Sequence, residues 1–221
     1  MSKRVRYQVA VSLDGFIAGP NGEYDWIVSD PSIDFGALYK EFDTVVVGRK
    51  TYEVMTAQGG HGAMPGLEVI VFSRSLPPTT YPGVRIVNDD PREVVAALKK
   101  KAGRDIWLFG GGILFRSLLD AGLVDSVEVA VMPVLIGSGI PLVQPGATAK
   151  LVLADQKTLP ASGIVVLSYS VNAAKGAAAR IAYVKPRKKR AKKKAPRTRR
   201  VATAHRTASK KTARSPKRRA G

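Results

Sequence analysis

The sequence predicts an α/β domain on a mixed, mainly parallel sheet, closed by a terminal antiparallel hairpin and followed by a disordered basic tail. Three observations predict it. Short β-rich runs alternate with helical patterns through the body of the chain, the signature of strand–helix–strand units. The last two runs, KLVLADQKTL and GIVVLSYSV, follow one another with no helix between them, as a hairpin would. Half of the 36 Lys and Arg residues lie in residues 185–221, where there is no Asp or Glu. That leaves 18 basic against 17 acidic residues in 1–184, a balance of +1, so the net charge of +19 belongs to the tail.

The elements follow in chain order. RYQVAVSL reads as a first strand ending at Leu13. DPSIDFGALYKEF predicts a helix with Asp30 as cap, Pro31 in the first turn, and Phe35, Leu38, Tyr39 and Phe42 on one face. TVVVG is a buried strand, and a helix begins near Lys50. EVIVFS and VRIVN are strands, the first ending at Ser73. DDPREVVAALKKKAG carries Asp90 as cap, Pro91 at the first position, Glu93 closing a capping box, and Gly103 as the stop. DIWLF is a strand, GGILFRSLLDAG a helix with Leu114, Phe115, Leu118 and Leu119 on one side, and VDSVEVAVMPVL a strand.

These patterns place one domain over residues 1–173, a linker of Ala, Gly and Lys over 174–184, and the tail over 185–221. The tail has almost no large apolar side chains, so burial cannot offset the entropy of ordering it. With no cysteine in the chain, disulfides, thiolate nucleophiles and Cys-ligated zinc are excluded. His61 stands alone in a glycine-rich loop and Ser138 lacks the spacing of a nucleophile elbow, so neither a metal site nor a serine nucleophile is expected. No apolar run is long enough to span a membrane, and the N-terminus reads as a strand rather than a signal peptide. The expected setting is cytoplasmic, with the tail allowing association with the nucleoid.

The glycine run Gly110, Gly111 and Gly112 joins a strand to a helix. Backbone N–H groups at such a join can hold an anion, helped by the helix dipole. The run is not a P-loop, and Phe115 stands where a dinucleotide fingerprint needs its third glycine. A tight join without a ligand fits it equally well.

Taken together, five segments carry more. VVVGRKTYE, VIVFSRS and LFGGGILF occur in this order at three strand ends, with VSLDGFIAGPNGEYDWI before them and MPVLIGSGIPLV after them. In these motifs the sequence resembles the dihydrofolate reductase superfamily, and more closely the branch containing the reductase domain of bacterial riboflavin biosynthesis and its stand-alone relatives. The resemblance covers about residues 4–172. It implies a dihydrofolate reductase-like fold and an NADPH site, with Gly48, Arg49 and Thr51 at one turn. Ser73 and Arg74 would read the ribose 2′-phosphate, for which a guanidinium fork is well matched. Gly110, Gly111 and Gly112 would take the pyrophosphate with Ile113 and Leu114 close by, and Phe115 would lie near the nicotinamide.

The resemblance also implies Asp14 as a catalytic or substrate-binding residue, Asp34 as a second catalytic candidate that orients the acceptor, and Trp26 as a pocket wall. Asp14 reads equally well as the turn residue of Asp-Gly, Asp34 as a helix-end acid, and Trp26 as core. Neither a deaminase domain nor the Cys/His set of its zinc site is present in the sequence. There is also no clear basic set for a substrate phosphate. The expected activity is therefore NADPH-dependent hydride transfer to a small heterocycle, imine or carbonyl compound.

The tail's chemistry implies sequence-neutral contact with DNA or RNA, without base stacking because no aromatic is interleaved. The alternative function is a nucleic-acid-binding protein whose reductase-like body is an idle scaffold. The other expected partners are a small-molecule substrate and a second copy in a homodimer.

Overall fold

Residues 2–57 and 61–171 are described by the computed structural model of the chain. The chain divides into two units, Met1–Ile181 and Ala182–Gly221, and every described residue belongs to the first. The linker and basic tail expected at 174–221 lie outside the described residues.

Eleven strands and four helices make up the described part. They are β1 (Val5–Ser12), β2 (Phe16–Ala18), α1 (Phe35–Tyr39), β3 (Phe42–Gly48), α2 (Arg49–Ala57), β4 (Glu68–Phe72), β5 (Thr79–Tyr81), β6 (Val84–Val87), α3 (Pro91–Lys99), β7 (Asp105–Gly110), α4 (Gly112–Asp120), β8 (Ser126–Met132), β9 (Ile140–Pro141), β10 (Leu151–Leu159) and β11 (Ile164–Val171). Nine of the strands form one sheet in the order β10-β11-β8-β1-β7-β3-β4-β6-β5, while β2 and β9 pair separately. The central block from β8 to β6 is parallel throughout. Antiparallel pairs close both edges, β8–β11–β10 on one side and β6–β5 on the other. This is the mixed, mainly parallel sheet, closed by a terminal antiparallel hairpin, that the strand–helix alternation predicts.

The middle strands are Val-rich and buried on both faces, as strands covered from two sides must be. Val45, Val46, Val47, Val69, Ile70 and Val71 are all fully buried. One core layer joins Val5, Tyr7, Ile106 and Leu108 to Leu98 of α3 and Leu118 of α4. The other gathers Phe42, Val45, Val47, Tyr52 and Trp107, with Leu38 and Tyr39 of α1 packed against it.

Two expectations are corrected. The helix predicted from Asp30 to Phe42 is only Phe35–Tyr39, and Phe42 opens β3. Asp30 does not cap it: its Oδ1 accepts from Ser32 N at 2.8 Å and Ser32 Oγ at 2.5 Å, and its Oδ2 from Ser162 Oγ at 2.6 Å. These side-chain bonds offer the backbone a turn in place of a helix, and Asp34 caps the short helix by accepting from Ala37 N at 2.9 Å. The second correction is at Thr79–Tyr81, within a Pro-rich stretch not read as a strand, which forms edge strand β5.

Candidate active site

A long cleft crosses the carboxyl ends of the parallel strands, where ligands bind in open α/β sheets. Three of its lining segments are the turns after β3, β4 and β7. Gly48 ends β3 and lies against the glycine run: a Cβ built on it would stand 3.9 Å from Gly111 N. Gly110 and Gly111 pack on Thr51, whose Oγ1 would be 3.3 Å from a Cβ at either position. A Cβ on Gly112 would come within 2.9 Å of Pro141 O, so this glycine is required by packing against β9 and the residues that follow it. Gly111 is the N-cap of α4 and offers no side-chain cap, leaving the first amides of that helix for another acceptor.

The cationic groups are arranged around this turn. Arg49, the first residue of α2, pairs with Glu53 at 2.6 Å on the exposed side. Ser73 Oγ accepts from Ser75 N at 3.2 Å and Leu76 N at 2.9 Å, which fixes the turn carrying Arg74. Arg74 is exposed on the cleft and makes no hydrogen bond or ion pair among the described residues. Lys50, Asn88 and Arg92 line the same end, and Arg92 is held by Asp90 at 2.5 Å. Sequence reasoning missed all three. The N-terminal signal that marks α3, Asp90-Pro91, also places Asn88 and Arg92 beside Arg74.

The residues after Gly112 separate by face. Ile113 is 73% exposed and lines the cleft, and Leu114 lines it while packing into the core. Phe115 does not reach the cleft: it is 3% exposed and stacks on Tyr7 at 3.9 Å between ring centroids. The expectation that Phe115 faces the cofactor ring is therefore corrected. Burial pushes the Tyr7 phenol above its usual range, and its hydroxyl donates to Leu142 O at 3.2 Å.

At the other end of the cleft, the three acceptor-side candidates also separate. Asp34 is exposed on the cleft while it caps α1. Asp14 does not line the cleft. Its carboxylate accepts from Ile136 N at 3.1 Å and Gly137 N at 2.7 Å, tying the β1–β2 turn to the β8–β9 loop. The Ser12 hydroxyl first, then these two amides, hold it below the usual carboxylate range. Trp26 does not line the cleft either: it packs on Met132, Leu159 and Ile164, and its Nε1 donates to Glu23 O at 3.1 Å. Instead the wall is built by side chains of β1, β7 and β8, including Gln8, Trp107, Phe109 and Glu128. The missed signal was the alternation Arg6, Gln8, Ala10, Ser12 in β1, which marks a polar, open sheet face.

This fold and glycine–arginine cleft coincide with a sequence match: the family model for the RibD C-terminal domain covers residues 3–166. The chain belongs to the RibD C-terminal domain family. An uncharacterized Bacillus subtilis (strain 168) protein, YyaP, is 33% identical over 182 residues, spanning 77% of this chain and 96% of the relative. The riboflavin biosynthesis protein RibD of Mycobacterium tuberculosis (strain ATCC 25618 / H37Rv) is 29% identical over 154 residues, 62% of this chain but only 44% of that longer protein. Among solved structures, Enterococcus faecalis dihydrofolate reductase complexed with NADP(H) superposes with a TM-score of 0.58 at 19% identity, covering 78% of this chain and 99% of the reductase. The relatives of this member of the RibD C-terminal domain family point to an oxidoreductase. Among its described residues no helix is long and apolar enough to cross a membrane.

Proposed function

We propose that this member of the RibD C-terminal domain family is an NADPH-dependent reductase that delivers a hydride to a small heterocyclic, imine or carbonyl acceptor. One observation carries the reading: Gly48-Arg49, Ser73-Arg74 and Gly110–Gly112 come from three separate strand ends and line one end of one cleft. The residues fit a phosphorylated dinucleotide. Arg74, with no protein partner among the described residues, is available to a 2′-phosphate. Arg49, Thr51 and the uncapped amides of α4 suit the pyrophosphate, and a side chain at Gly110 or Gly111 would crowd Thr51 in that cradle. Ile113 and Leu114 offer apolar contact beside it.

When bound, the nicotinamide supplies the hydride. The chain's own task is to place the acceptor. Asp34 orients it from the rim of α1. Asp14 acts as a positioning residue: ionised and held by the amides of Ile136 and Gly137, it fixes the loop beside the cleft and is poorly suited to release a proton. Titration of the full chain should give tighter binding of NADPH than of NADH. Arg74→Gln should remove about 10- to 100-fold of that preference, the worth of a charge-assisted hydrogen bond. NADH binding as tightly as NADPH would defeat the reading.

The basic segment 185–221 adds a second proposed role, sequence-neutral contact with DNA or RNA, supported by its 18 Lys and Arg and its lack of acids. Affinity for duplex DNA should fall with salt at a log–log slope of roughly −0.9 per phosphate engaged. Absence of binding at low salt would remove this role and, with it, the idle-scaffold alternative.

A further inference from the structure

The acceptor end of the cleft is chemically unlike the cofactor end. Its floor is the sheet face carrying Gln8 and Ala10 of β1, Glu128 and Ala130 of β8, and, farther out, Val166 and Lys157. Glu128 is fully engaged. Arg6 Nε and Nη2 donate to its two oxygens at 2.7 Å each, and Ser126 Oγ donates at 2.8 Å. Arg6 also pairs with Glu41, so it has no charge to spare for a ligand. Among the described residues, Lys157, exposed on the edge strand, is the cation that lines this end.

Gln8 differs from its neighbours. Its backbone carbonyl accepts from Trp107 Nε1 at 3.1 Å, but its side-chain Oε1 is buried with no hydrogen-bond partner among the described residues. A buried amide oxygen left unpaired costs free energy that an incoming donor recovers. Above this floor the rim carries three apolar side chains beside Asp34. Ile27, Val28 and Phe35 are 38%, 42% and 56% exposed, and all three line the cleft. Clustered exposed apolar side chains at the mouth of a cleft mark a ligand surface.

We infer that the acceptor is an uncharged, planar molecule with an apolar flank and an N–H or O–H group that hydrogen-bonds Gln8, and not a sugar phosphate. The flat space is provided by Ala10 and Ala130, the apolar flank lies against Phe35 and Val28, and the donor meets the Gln8 amide, beside Glu128, once that side chain turns from its buried position into the cleft it lines. This inference rests on the reductase reading of the same cleft.

The test uses the full chain saturated with NADPH and three matched pairs of probes: riboflavin with flavin mononucleotide, pyridoxine with its 5′-phosphate, and uridine with its 5′-monophosphate. The uncharged member of at least one pair should bind about 10-fold or more tighter than its phosphate. Gln8→Leu should weaken that binding about 5- to 10-fold, the effect of one hydrogen bond, and Phe35→Ser should weaken it too, with NADPH affinity unchanged in both. Phosphates that bind as well as their uncharged partners, no binding by any uncharged probe, or an unaffected Gln8→Leu variant would overturn the inference while NADPH binding stands. Failure of the wild-type chain to bind NADPH would overturn the reductase reading itself, and this inference with it.

Discussion

Phe115 and Ile113 sit two positions apart on α4 and do opposite things. Successive helical residues are about 100° apart, so a contiguous motif such as Gly-Gly-Gly-Ile-Leu-Phe cannot turn all its side chains to one ligand. Ile113 projects into the cleft, whereas Phe115 joins Leu114 and Leu118 against the sheet and stacks on Tyr7. The helical periodicity already placed Phe115 on the apolar face. Its assignment to the cofactor came from motif resemblance, which carries no information on direction. Phe115→Ala should cost about 3–5 kcal/mol of stability, the range for a large buried aromatic. NADPH affinity of the folded variant should be unchanged. Chemical denaturation and cofactor titration of the same preparation separate the two effects, and weaker NADPH binding with intact stability would restore a direct role.

The elements that sequence reading located best are those whose signals are local. The Asp90-Pro91 start of α3 and the valine runs of β3 and β4 are written in adjacent residues. The segment 30–42 was misjudged because its fate depends on Ser162, a partner 132 residues away. Asp30 joins the two, and the Ser162 hydroxyl, followed by the Ser32 hydroxyl and amide, lowers its carboxyl to about 2. A carboxyl depressed in the folded state contributes stability above its ordinary pKa of about 4. That contribution is lost as pH falls from about 4 through about 2. Acid unfolding should therefore show a limb in this window, and Asp30→Asn should flatten it while lowering stability at neutral pH. An unchanged acid limb in the variant would show that the Asp30–Ser162 link does not hold the loop.

At the scale of the molecule, the cleft draws on strands from β10 to β4 and on the turns beyond them. Strand–helix alternation made the fold class legible, and glycines next to arginines made one end of the cleft legible. The acceptor end was not, because Gln8 and Glu128 lie in strands recognised by their apolar residues, and only the parallel register of β1 and β8 brings them side by side. In the proposed reading, Arg49, Lys50, Arg74 and Arg92 lie on the cofactor side, and Asp34, Glu41, Glu128 and Lys157 toward the acceptor. The measurement that bears most directly on this division is amide chemical-shift mapping of the full chain during NADPH titration. Perturbations should concentrate at Gly48, Arg49, Ser73, Arg74 and Gly110 to Ile113, leaving Gln8 and Glu128 to respond only when an acceptor is added. Saturable binding that leaves those amides unmoved, or moves a different face of the sheet, would contradict the account.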